Sequence, residues 1–192
     1  MAVTKKRYLH HYVLTMRIFP NDEQKNIIAS NMLAYKTIYN YYVSNGIFCS
    51  RVGLENLPEM LVDQQINLDD IEPTVIQNAI SKYQKDWTTF LSNPALNPPG
   101  FINKESFQLT AKYPQEGDII PTIFNSSCYL QAPKGKFLNL PKIGKVISTG
   151  SRQIVENILN MKEVLVGRVM VYQDLPKYYY TKLYLSSNCS FI

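Results

Sequence analysis

The sequence is poor in the residues from which catalytic and metal centres are usually built. It has three cysteines (Cys49, Cys128, Cys189) and two histidines (His10, His11) in 192 residues. The cysteines are far apart and form no CxxC pair, and an odd number cannot all pair within one chain. Reduced thiols in a cytoplasmic protein are therefore expected. Two adjacent histidines would point to opposite faces of a strand, and no further Cys or His stands at ligand spacing, so neither a metal nor a cofactor is expected. The chain lacks a GxxxxGK[ST] loop, a GxGxxG after a strand and a GxSxG elbow. With both histidines in one dipeptide, a Ser-His-Asp or Cys-His arrangement would have to be built around that single place. No uninterrupted apolar run reaches membrane-spanning length, and the early run YLHHYVLTM is too mixed for the core of a secretory signal.

Acidic charge is scarce in particular places. The whole chain carries 20 Lys+Arg against 15 Asp+Glu, a formal charge of +5. Residues 1–36 hold six cations and two acids, residues 37–96 hold three and seven, and residues 97–192 hold eleven and six. The tract from Ile119 to Val155 has no acid at all, while Lys134, Lys136, Lys142, Lys145 and Arg152 make it strongly basic. Clustered cations of this kind suit a polyanion, because binding releases phosphate counterions; a solvated basic face without a partner is the plainer alternative. The seven acids of 37–96 are spread along that segment, unlike the converging carboxylates of a metal-dependent nuclease.

What is abundant is aromatic and β-branched. Lys6 to Phe19 predicts a strand over about residues 8–19, ended by Pro20. Asn21-Asp22-Glu23-Gln24 has the chemistry of a helix start, and Ile28, Met32, Tyr35, Tyr39 and Tyr42 then mark one helical face to about Ser44, with Asn45-Gly46 as the stop. Residues 46–72 predict a loop or short turns. Pro73 opens a second helix with Ile76, Ile80, Tyr83, Trp87 and Phe90 or Leu91 on one face, ending before the breaker-rich 93–100 segment. Beyond Gly100, short runs read as strands: SFQLTAKY, IIPTIF, SCYLQA, KFLNLP, KVIST, EVLVGRVMVYQ and KYYYTKLYLS. An α+β fold follows, a small β-barrel or sandwich joined by the first strand, with residues 21–96 as a helical insertion. Fourteen tyrosines, many beside Lys or Arg, offer rings for stacking on bases, although a barrel would bury about half of them. Alternation in KYYYTKLY sets Tyr178, Tyr180, Lys182 and Tyr184 on one face and Lys177, Tyr179, Thr181 and Leu183 on the other.

The order of these features resembles the front part of the transposon-encoded TnpB (OrfB) proteins, from which type V CRISPR effectors derive. The likeness rests on Arg17, Pro20, Glu23, Gln24, Tyr39 and Asn40, on Pro73 to Phe90 followed by Pro99-Gly100-Phe101, on Leu140-Pro141-Lys142-Ile143-Gly144-Lys145-Val146, and on the Lys177–Leu185 strand. It implies a wedge domain, an oligonucleotide-binding-like β-barrel from residues 1–20 and 97–192, with a helical recognition lobe at 21–96. The family's nuclease domain, with its Asp-x-Gly strand and CxxC zinc ribbon, has no counterpart here, so binding without cleavage is expected and no catalytic residue is assigned. Three positions depart from the family pattern: Lys36 replaces a usual Arg and loses its bidentate fork, and Gly100 and Ile102 stand where basic residues are common.

The resemblance implies structured, guide-type RNA as partner, with target-adjacent duplex DNA and a separately encoded RuvC-like nuclease subunit as further partners, in a prokaryotic or phage-encoded cytoplasmic protein. The expected RNA contacts are Lys134, Lys136, Lys142, Lys145, Arg152, Lys177, Tyr179 and Lys182. Arg17, Lys36, Tyr39 and Asn40 are expected on the nucleic-acid side of the helical lobe, against a purely structural role for Tyr39 and Asn40. Four settings stay open: half of a split RNA-guided nuclease, a stand-alone regulator or decoy inhibitor, a transposon remnant, or a protein-binding module using the acidic 55–72 stretch.

Overall fold

Alternation of apolar and polar residues in HHYVLTMRIF makes the first strand. In the computed structural model, β1 spans His10–Phe19, with Leu14, Met16 and Ile18 buried and His11, Val13, Thr15, Arg17 and Phe19 turned to the other face. Residues 10–45, 63, 66, 68–93, 95–103, 106–110, 129–131, 137–149 and 164–188 are described. The three cysteines, the IIPTIF run, and Lys134, Lys136 and Arg152 lie outside them.

Helix α1 covers Asp22–Asn45. Its start is a reciprocal capping box: Gln24 N donates to Asn21 Oδ1 (2.8 Å) and Asn21 N donates to Gln24 Oε1 (3.1 Å). The expected stripe Ile28, Met32, Tyr35, Tyr39 and Tyr42 is buried throughout, joined by Ala34 and Ile38. A short 3₁₀ turn at Leu68–Asp70 precedes α2, Pro73–Ser92, which has proline in its first turn. In α2 the buried residues are Val75, Ala79, Ile80 and Tyr83, with Ile76 and Trp87 only partly covered, so the apolar stripe is rotated slightly from the sequence expectation. The two helices pack through aromatic rings, Tyr39 against Tyr83 at 5.8 Å and Tyr42 against Tyr83 at 5.4 Å between ring centroids.

Six further strands follow among the described residues: β2 Ser106–Thr110, β3 Tyr129–Gln131, β4 Phe137–Leu140, β5 Gly144–Thr149, β6 Val164–Leu175 and β7 Tyr178–Ser187. They form one antiparallel sheet with β1, in the order β2-β6-β7-β1-β5-β4-β3. The first strand thus joins the later ones, as expected, and takes an interior place between β7 and β5. The molecule is α+β, and its curled antiparallel sheet is compatible with a small barrel. The inner faces of the strands and the buried sides of both helices share one core, in which Phe107, Val146, Val169, Val171, Leu138 and Ile28 are completely covered. Both helices rest against β2. No helix among the described residues is long and apolar enough to cross a membrane.

The β4–β5 turn, Pro141-Lys142-Ile143, needs two left-handed residues, Lys142 (φ 64°) and Gly144 (φ 77°). Glycine takes that conformation without penalty, whereas lysine bears a cost of about 1–2 kcal/mol.

Candidate nucleic-acid interface

The sheet face opposite the core is assembled by register. Paired residues on neighbouring antiparallel strands share a face, so three rows cross the sheet. The first runs Arg17, Tyr180, Tyr172; the second Thr15, Lys182, Met170; the third Val13, Tyr184, Arg168. Each row carries one cation. A bulge between Val166 and Arg168 adjusts the register of β6 where the third row ends. Successive rows lie about 7 Å apart, two residues along a strand.

Each of these cations lies over a ring. The Arg17 guanidinium stands 4.8 Å from the Phe19 centroid and 4.3 Å from that of Tyr178. Lys182 Nζ is 5.0 Å from Tyr172, whose ring stacks on Tyr180 with centroids 5.4 Å apart and planes 20° from parallel. Arg168 lies 4.0 Å from the Tyr184 ring. Such contacts contribute only about 0.5–1 kcal/mol each at a wet surface. Their larger effect is to hold long cationic side chains in place. Arg17 Nε is buried without a hydrogen-bond partner, and none of Arg17, Arg168 and Lys182 is in an ion pair among the described residues. No acid belongs to the three rows. Asp174 stands near the β6 end, and burial, followed by its charge, raises the pKa of Tyr172 above the usual tyrosine value.

The expected RNA-contact residues divide sharply. Lys182 is in the strip, and Lys145 is exposed on β5 on the same face, continuing the alternation of Ile147 and Thr149 that meets Phe19 and Arg17. Lys177 is exposed in the β6–β7 turn beside Tyr178. Lys142 is exposed too, but its Nζ donates to the Asp69 carbonyl at 3.1 Å, which ties the turn to the 3₁₀ segment. Tyr179 is half-buried against the core on the inner face, whereas Tyr178, Tyr180 and Tyr184 stand on the outer one. Lys134, Lys136 and Arg152 fall outside the described residues.

The residues expected on the helical lobe separate in the same way. Arg17 lies in the sheet strip rather than with the helices. Lys36 is half-buried on α1. Tyr39 is 2% exposed, its ring packed on Tyr83 and its hydroxyl donating to Asp86 Oδ2 at 2.7 Å, so it offers no face for a base. Asn40 is a joint: its Nδ2 donates to Ile102 O (3.1 Å) and its Oδ1 accepts from Ile102 N (2.8 Å). Both side chains are spent on internal packing, Tyr39 between the two helices and Asn40 between α1 and the segment after α2.

Arg168, Tyr172 and Phe19 complete the strip and were not singled out from the sequence. The alternation Arg168-Val169-Met170-Val171-Tyr172 carried a signal for two of them, with valines marking the buried face. Among the described residues, no group of three or more His, Cys, Asp or Glu side chains could hold a metal ion. The arrangement is suited to gripping something flat and anionic. No protein-family model matches this chain, and no curated protein matches it.

Proposed function

We propose that this protein binds structured, guide-type RNA through the Arg17–Lys182–Arg168 face of its sheet, as a TnpB-like wedge barrel with a helical recognition lobe and no cleavage chemistry of its own. One observation carries the reading: three cations, in no ion pair among the described residues, rest on aromatic rings, one per row, on a single face of the sheet. RNA offers both things such a surface can take, phosphates for the cations and unstacked bases for the rings and guanidinium planes. A separately encoded nuclease subunit would supply cutting, and target-adjacent duplex DNA is a second ligand within the same proposal.

The test is fluorescence anisotropy with an RNA hairpin carrying single-stranded flanks, read across a salt series. The expected result is affinity that falls steeply with salt, and a loss of roughly tenfold for Tyr180→Ala that Tyr180→Phe restores, the size of one lost stacking contact. Affinity independent of both salt and Tyr180 would sink the proposal and favour a protein-binding module.

A further inference from the structure

A cleft of about 550 Å³ opens where the helix pair meets the strip. Tyr35 and Lys82 come to it from the helices, Phe101 and Asn103 from the segment after α2, and Ser106 and Met170 from the sheet. Its position follows from the register. Met170 pairs with Lys182 and Ser106 with Tyr172, so the cleft occupies the β2 ends of the first two rows and continues the cation–aromatic surface. Its volume lies within the roughly 300–1,000 Å³ of ordinary ligand sites.

The chemistry of the walls discriminates between the parts of a nucleotide. A phosphate would need net positive charge, but the one cation present, Lys82, is already paired with Asp86. A neutral, flat group fits better. Phe101 is 63% exposed at the rim, a large aromatic ring that the core does not use. The side chains of Asn103 and Ser106 make no hydrogen bond to any of the described residues, although both can donate and accept. Tyr35 and Met170 add apolar and polarisable surface. An aromatic rim beside an amide and a hydroxyl that no described residue engages is the equipment for stacking a base and reading its edge.

We infer that this cleft receives one unpaired nucleobase from an RNA strand lying across Tyr172 and Tyr180, stacked on Phe101 with its edge bonded by Asn103 and Ser106. The inference deepens the RNA-binding reading and rests on it. It makes the ligand a single-stranded segment next to the sheet, since a base inside a duplex cannot enter.

The experiment uses the full chain and a set of short single-stranded RNAs, intact or with one abasic nucleotide placed at each position in turn. Phe101 and Asn103 are exposed, so Phe101→Ala and Asn103→Ala leave the core untouched. For intact RNA, Phe101→Ala should lower affinity roughly tenfold. One abasic position should weaken the unaltered protein by a similar factor and make it insensitive to Phe101→Ala. If Tyr180→Ala weakens binding while Phe101→Ala and Asn103→Ala do not, the cleft inference is overturned and the RNA-binding reading stands. If Tyr180→Ala is also without effect, both fail.

Discussion

At the scale of the residue, the buried tyrosines make the fold sensitive to alkali. Burial and the nearby Asp86 carboxylate push the Tyr35 pKa up to about 12, and burial together with the hydrogen bond to Asp86 raises that of Tyr39 further. A raised pKa means that the folded state keeps its proton where the unfolded chain, titrating near 10, has lost it. Stability from these groups is therefore complete below pH 10 and falls as pH rises from 10 through 12. Thermal melts between pH 8 and pH 11 should show the midpoint dropping above pH ~10, less steeply in Tyr35→Phe; equal slopes would refute the assignment. These core tyrosines were legible because a helix repeats every 3.6 residues and buries one side. Tyr179 and Tyr180 were not separable from sequence in that way. A period-2 strand presents two equivalent faces, and which of them is wet depends on distant packing.

At the scale of the element, α1 is held by its amide side chains as much as by its apolar stripe. Gln24 Nε2 donates to Ile143 O and Lys145 O at 3.2 and 2.9 Å, joining the helix start to the β4–β5 turn. Asn31, 1% exposed, donates to Asp70 O and accepts from Glu72 N, fixing the entry to α2. Asn40 does the same for Ile102. Amides suit this task because each both donates and accepts. Gln24→Glu separates two roles, since it keeps the capping acceptor for Asn21 N but removes the donors facing two carbonyls. A loss of about 1–3 kcal/mol in denaturant unfolding is expected; a neutral result, with Gln24→Ala destabilising, would mean that the cap alone matters. The cap itself was readable in Asn21-Asp22-Glu23-Gln24. The bridge to residues 143 and 145 was not, because nothing local encodes a partner 119 positions away.

At the scale of the whole molecule, the charge segregation seen along the chain has a counterpart in space, but cations that look alike in sequence are placed differently. Lys145 lies on the face of the strip, whereas Lys142 stands in the β4–β5 turn against Asp69 O. Lys145→Glu should therefore weaken RNA binding and flatten its salt dependence more than Lys142→Glu does, as measured by anisotropy at several ionic strengths; equal effects would place the RNA elsewhere. Strand composition predicted a sheet joined by residues 8–19, and the sheet is there, but the order of its strands lay beyond any local signal. That order has a consequence for how the protein is made. β1 is synthesised early yet sits between β5 and β7, and His11 meets Ser186 across 175 positions. Until residues 144–149 have been made β1 has neither of its partners, and its second edge stays open until residues 178–187 follow. Contacts of such separation fold slowly and leave pairing edges exposed in the meantime.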